Sequence, residues 1–381
     1  MNKIDKTVKR LQLKELYSGF RDAEVIKSYA VLIHKLSKNL QKPLNIMEVC
    51  GGHTHTIMKY GLKQLLPSNI NFIHGPGCPV CIMPKERINH ALILSKLPDV
   101  ILVTLGDMIK VPGSDGSLQD ARAQGADVRF VYSPMDCIKI SHDNPEKKVI
   151  FFAIGFETTT PMSAALINKV VKEKIGNIIF HINHVTIPEA MALLLEDNSH
   201  NINAFIGPSH VSVISGSKIY EPFPKIYKKP VVVSGFEPVD VMKSIVMLIE
   251  QVLDNRCEVE VEYSRSVSYD GNVQAQKLNN SYFEKREHFR WRGIGDITSS
   301  ALKLKPEFSF IDAEKIYEAI LPTQEINDHK LCICGDILKG KASPQNCNIF
   351  GTLCKPSHPV GSCMVSSEGA CAAYYKYGDI L

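Results

Sequence analysis

Eleven cysteines are spread unevenly along the 381 residues. Cys332, Cys334, Cys347, Cys354, Cys363 and Cys371 fall within the last fifty residues, whereas Cys137 and Cys257 stand alone. The separations within the terminal group are one, twelve, six, eight and seven residues. Structural zinc usually uses paired knuckles two to four residues apart, so zinc fits this spacing poorly. An iron–sulfur cluster needs four thiolates and tolerates irregular spacing when a wrapping loop supplies them. Gly335, Gly340, Gly351, Gly361 and Gly369 give the backbone that freedom. Six thiols for four places leave two spare, enough for a dithiol beside the cluster.

Three further groups of residues have chemistry in their spacing. Gly75-Pro-Gly-Cys78-Pro-Val-Cys81 is a C-x-x-C between an expected strand and a helix expected from Lys85. A thiol near the positive end of a helix has a lowered pKa, which favours redox exchange or metal binding over simple turn packing. Cys50-Gly-Gly-His53-Thr-His55 follows the first expected strand. Ligands collect at the carboxyl edge of open α/β sheets, and a thiolate with two imidazoles suits a transition metal. The two glycines are expected to leave room for a bulky ligand, and one imidazole is expected to act as an outer donor rather than a ligand. Gly155-Phe-Glu157-Thr158-Thr159-Thr-Pro161 turns from a strand into a helix, where Glu157, Thr158 and Thr159 make a candidate anion or partner site or, equally, an ordinary cap.

The elements that must position these residues come from periodicity. Val25, Ile26, Tyr29, Leu32, Ile33, Leu36 and Leu40 mark one face of a helix over 22–40. Strands at 45–49, 71–74, 100–105 and 128–132 alternate with helices at 56–66, 85–97 and 117–124, which implies a parallel sheet covered on both faces. The alternation restarts with strands at 149–156, 178–182, 204–206 and 231–234 and helices at 161–174, 188–196 and 238–253. Gly155-Phe-Glu157 and Gly235-Phe-Glu237 echo each other at two strand ends. The expected organisation is therefore α/β: one unit over 1–145 with the Cys50 and Cys78/Cys81 motifs, a second over 146–256, and a smaller, irregular C-terminal iron–sulfur unit over 257–381. Tyr282 to Arg292 is expected to be a solvated segment.

Composition narrows the function classes. With 44% hydrophobic and 22% charged residues the chain belongs among globular proteins. A net charge of +4 is too slight for a nucleic-acid footprint. No apolar run is long enough to span a membrane, and Met1 to Arg10 carry no apolar core with a cleavage site, so a cytoplasmic location is expected. There, cysteines serve more often as ligands or redox thiols than as static disulfides.

Taken together, Cys50-Gly-Gly-His-Thr-His55, Gly75-Pro-Gly-Cys-Pro-Val-Cys81, Gly155-Phe-Glu-Thr-Thr-Thr-Pro161 and the run through Met364-Val-Ser-Ser-Glu-Gly369 resemble the hydrogenase maturation factor HypD family, in the same order and across essentially the whole chain. The resemblance implies two similar α/β domains and a third bearing a [4Fe–4S] cluster. It implies a scaffold, working with a HypC-type small chaperone, on which the Fe(CN)2CO group of [NiFe]-hydrogenase is assembled with cyanide from a HypE-type protein. Carried over by motif, Cys50 would bind the iron jointly with a cysteine of the chaperone. Cys78 with Cys81 would be a redox dithiol, Cys332, Cys347, Cys354 and Cys371 cluster ligands, and Cys334 with Cys363 a second dithiol. Cyanide and CO need an electron-rich, low-spin iron, so a thiolate beside an electron source is chemically sensible. The alternative is an iron–sulfur thiol–disulfide oxidoreductase that reduces a partner protein through Cys78 and Cys81, with Cys50 and the histidines structural.

Overall fold

The computed structural model describes residues 18–197 and 200–378. Met1 to Arg10 lie outside the described residues. In chain order the main strands are β1 (Leu44–Glu48), β2 (Ile70–His74), β3 (Val100–Leu105), β4 (Val128–Val131), β5 (Lys148–Gly155), β6 (Ile178–His184), β7 (Ala204–Pro208), β8 (Val231–Ser234) and β9 (Val259–Val261). They form two all-parallel sheets, in the orders β2-β1-β7-β8-β9 and β4-β3-β5-β6. The expected α/β class is therefore found. Val100 to Val103 and Val149 to Ile154 are buried on both faces, as the continuous apolar runs of parallel strands require.

Helices cover these sheets. In the helix Ala23–Ser37, the Asp22 carboxylate accepts hydrogen bonds from the Glu24 and Val25 amides, and Ile26, Ala30 and Ile33 form its buried stripe. That helix packs on Pro238–Leu253, itself capped by Glu237 and Asp240. Among the described residues no helix is long and apolar enough to cross a membrane.

The expected unit boundaries need correction. A cut at 145 falls inside the second sheet, between β4 and β5, while the first sheet joins β1 and β2 to β7, β8 and β9. The second sheet is thus an insertion into the first. Periodicity marks which residues face a core, but it carries no information on which strand lies beside which. The cut at 257 also fails, because β9 belongs to the first sheet. Beyond it the chain does not stand apart: Tyr282, Phe283, Leu304 and Ile311 join the core of the second sheet, and Trp291, Ile337 and Met364 join the core with Met47 and Val49. Tyr282 to Arg292 is accordingly not a solvated segment. His288–Trp291 is a strand paired with Gly295–Thr298, and Trp291 is fully buried with its indole N–H donating to Ser300 Oγ at 2.9 Å. A buried ion cluster fastens this region to the second sheet. Glu314 takes Arg87 through two bonds of 2.6 and 2.7 Å and also pairs with Arg286, while Arg87 donates to Asn183 Oδ1 at 2.7 Å.

Candidate functional site around the cysteines

Strand β1 ends at Glu48, and two residues later Cys50 caps the helix Gly51–Lys59 in extended conformation. Its carbonyl accepts the amides of His53 at 2.9 Å and Thr54 at 3.3 Å, and its own amide donates to Glu48 Oε2 at 3.1 Å. The loop is clasped from three sides. A side chain on Gly77 would collide with the Cys50 backbone, and the Gly51 amide donates to the Gly77 carbonyl at 3.0 Å. A side chain on Gly51 would collide with Glu368, and one on Gly52 would come within 2.8 Å of the Phe236 ring. The expectation that these glycines leave space for a ligand is therefore wrong: Glu368 and Phe236 take up that space.

Burial pushes the Cys50 thiol well up, and the Glu368 and Glu48 carboxylates push it further. Glu368 is itself pushed up, first by burial and then by Asp107. Beneath the loop Glu48 is fully buried and accepts from Thr54 Oγ1 and, at 2.7 Å, pairs with His74 Nδ1. His74 Nε2 then reaches Tyr374 Oη at 3.2 Å, on the helix Ala370–Tyr377. Sequence reasoning missed this Glu48–His74–Tyr374 chain. A carboxylate inside the expected strand 45–49 was the available signal.

The two histidines serve different neighbours. His53 is fully buried and its Nε2 lies 3.2 and 3.1 Å from the Ser234 and Gly235 carbonyls, which ties the Cys50 helix to the end of β8. Nε2 must carry the proton there, and burial pushes the ring down to about 4, leaving it neutral. His55 instead meets the Ser367 backbone and the edge of Tyr377. The helix thus turns the two imidazoles away from each other.

Cys78 and Cys81 are buried and joined as a disulfide, with Cα atoms 5.2 Å apart. The helix Lys85–Ser95 begins four residues later, after a turn, with Pro84 at its cap. Ser362 Oγ donates to the Cys81 carbonyl, so the loop bearing Cys363 lies against the C-x-x-C. In the terminal group Cys332 Sγ and Cys334 Sγ are 3.2 Å apart, and Cys363 and Cys371 lie close enough to the Cys334 thiol to act on it. The hydrogen bond to Cys334 brings the Cys332 thiol down to about 7. Cys354 lies near enough to Cys371 to affect it, and its sulfur accepts the Val360 amide at 3.4 Å. Cys347 sits at the rim, with its thiol 3.8 Å from the Leu331 carbonyl. Gly361 is required here: a side chain on it would lie 2.6 Å from Cys334 Sγ and 2.8 Å from Cys332 Sγ.

At Glu157, Thr158 and Thr159 most of the backbone donors an anion would need are already in use. The Thr159 and Thr160 amides already donate to the Phe156 carbonyl and the Met162 amide to Thr159, while Pro161 has no N–H. Thr158 points to solvent. Glu157 Oε1 accepts the Ile187 amide at 3.0 Å, and burial pushes its carboxyl up to about 7.

Comparison with known proteins decides the lineage. A family model, HypD, described as the hydrogenase formation hypA family, matches residues 24–378. The chain belongs to the HypD family. It is similar to hydrogenase maturation factor HypD2 of Bradyrhizobium diazoefficiens, 48% identical over 94% of this chain and 96% of that protein. HypD of Cupriavidus necator is 46% identical over 94% and 96%. HypD of Escherichia coli (strain K12) is 44% identical over 90% and 91%. All the motifs that carried the HypD resemblance lie within the matched residues.

Proposed function

We propose that the chain acts in hydrogenase maturation as the scaffold and electron donor on which the Fe(CN)2CO group is assembled, together with HypC-type and HypE-type partner proteins. One observation carries the reading: three thiol sites adjoin through backbone contacts. Gly77, next to Cys78, lies on Cys50; Ser362, next to Cys363, holds the Cys81 carbonyl; Gly369 lies on the Cys363 backbone while Glu368 lies on Gly51.

The terminal thiols are the site of a [4Fe–4S] cluster in this reading: Cys332 and Cys334 meet beside Gly361, Cys371 lies close to Cys334, Cys354 lies near Cys371, and Cys347 stands at the rim. In this reading Cys332, Cys347, Cys354 and Cys371 hold it, and when bound it supplies single electrons. Cys334 and Cys363 form the neighbouring dithiol, and Cys334 touches two of the proposed ligands, Cys332 and Cys371. Reduced Cys334 and Cys363 pass two electrons and two protons to the Cys78–Cys81 disulfide by thiolate attack, becoming a disulfide as that pair becomes a dithiol. Cys50 binds the maturing iron, which is cargo. Its thiol proton leaves when the metal arrives, and Glu368 is the adjacent carboxylate whose raised affinity suits it to take that proton.

The test is Cys50→Ser in the chain purified with its small partner. The fold and the brown absorbance of the cluster should persist, whereas iron beyond the cluster and the infrared bands of cyanide and CO should disappear. Persistence of those bands in the serine variant overturns the assignment of Cys50.

A further inference from the structure

Arg292 follows the fully buried Trp291 and lies between the two dithiols of the chain. Its amide donates to the carbonyl of Ile82, the residue after Cys81, at 2.7 Å. Gly293 rests on the backbone beside Cys334: a side chain on it would come within 2.7 Å of Gly335 Cα. The Arg292 side chain is only 3% exposed. Its Nε donates to Asp328 Oδ1 at 2.6 Å and its Nη1 reaches the Pro112 carbonyl at 3.5 Å, whereas Nη2 is buried with no hydrogen-bond partner among the described residues.

A buried cation is costly unless negative charge surrounds it and its N–H groups are met. Asp328 supplies one carboxylate, while Glu86 and Glu325 nearby are paired with Arg290. A second cation stands close by. The Lys85 ammonium lies 3.4 Å from the Asn327 carbonyl; burial and the Arg292 charge push it down, while Asp328 and Cys332 act in the opposite sense. Two cations thus stand against one carboxylate. Next to them are the terminal thiols. Arg292 lies near enough for its charge to act on Cys332 and Cys363, and the Cys332 amide donates at 2.8 Å to the carbonyl of His329, the residue after Asp328. Neutral thiols do not offset an excess of positive charge; metal-bound thiolates do.

We propose that Arg292 is a positioning residue for electron transfer, whose charge and idle N–H stabilise the reduced form of the terminal cluster and so raise its reduction potential. One-electron reduction adds a negative charge to a centre that four thiolates already make negative, and a fixed buried cation favours that form. Lys85 acts in the same direction and Asp328 opposes it. The inference rests on the reading of the terminal thiols as cluster ligands.

Potentiometric titration of the full chain, reduced stepwise with dithionite and followed by the electron paramagnetic resonance of the cluster, tests it. Arg292→Met should lower the ratio of reduced to oxidised cluster at a fixed potential about tenfold, a midpoint about 59 mV more negative for a one-electron couple. Arg292→Lys keeps the charge without the planar fork and should fall between that variant and the wild type. Lys85→Gln should lower the ratio by a smaller factor, because its side chain is only half-buried. Asp328→Asn, which removes the opposing carboxylate, should raise it. General damage to the fold does not give opposite signs at neighbouring positions, and where Arg292→Met fails to fold, Lys85→Gln and Asp328→Asn decide the matter. Equal midpoints in wild type and Arg292→Met at unchanged iron and sulfide content, or a midpoint lowered by Asp328→Asn, would overturn the inference and leave the cluster reading intact. A wild-type chain without iron and sulfide would overturn the cluster reading and this inference together.

Discussion

The chain uses Gly-Phe-Glu twice at the end of a parallel strand, after β5 and after β8, and the two copies meet different fates. In both, the glycine admits a side chain from the following turn: Thr159 presses on Gly155, whose φ is +150°, and Asp240 on Gly235. In both, the phenylalanine anchors a neighbouring element, Phe156 against Trp291 and Phe236 against Gly52 and His53. The glutamates diverge. Glu237 caps its helix and takes Arg21 through bonds of 2.5 and 2.7 Å, whereas Glu157 is buried with one oxygen unpaired. An identical local motif therefore specifies the strand-to-helix turn, while residues from distant segments decide what its carboxylate does.

The contrast between a clasped edge on the first sheet and an unpaired carboxylate oxygen on the second can be broken most severely at Gly77. A methyl group there meets the Cys50 and Val49 backbone, which cannot swing aside as a side-chain tip can. Gly77→Ala should cost about 3 kcal/mol or more in urea unfolding and should speed alkylation of the partly exposed Cys50. Unaltered stability and an unchanged alkylation rate would mean that the clasp is loose.

A smaller effect of opposite sign is expected at Glu157. Its carboxyl is raised to about 7 in the folded chain by burial, so its contribution favours folding below the unfolded value near 4.5 and is lost as pH rises through 7. Glu157→Gln should therefore gain about 2 kcal/mol over the wild type at pH 8 and nothing at pH 4. Parallel urea titrations at the two values check it, and an equal difference at both would refute the linkage. The smallest effect belongs to the partnered copy. Arg21 is half exposed, so Arg21→Ala should cost no more than about 1 kcal/mol, and less as salt is added.

Much of the secondary structure was legible, for reasons that can be named. Val100 to Leu105 and Val231 to Ser234 read as strands because they are short apolar runs, and Pro238 to Leu253 as a helix because of its proline start and apolar stripe. The helix Val273–Tyr282, with one buried residue, has too weak an apolar face to announce itself. Within the site, the positions of the cysteine motifs could be read because strand ends are fixed by local sequence. What fills the space at Gly51 and Gly52 could not, since Glu368 and Phe236 arrive from 317 and 184 residues further along the chain. The unpaired oxygen of Glu157 was equally hidden, because it depends on Lys285, which pairs with Glu189 instead.

The insertion of the second sheet into the first also sets a timetable for synthesis. Strands β3 to β6 are contiguous in sequence and can close soon after they leave the ribosome, but β1 has only β2 beside it until β7 is made. The 134 residues from the end of β2 at His74 to the end of β7 at Pro208 take roughly 7 to 27 s at ordinary translation rates. The clasp at Cys50 waits longer still, because Phe236 and then Glu368 must follow. A nascent or truncated chain thus has a Cys50 that lacks its cover, and only a chain translated through Glu368 carries the finished Cys50 loop.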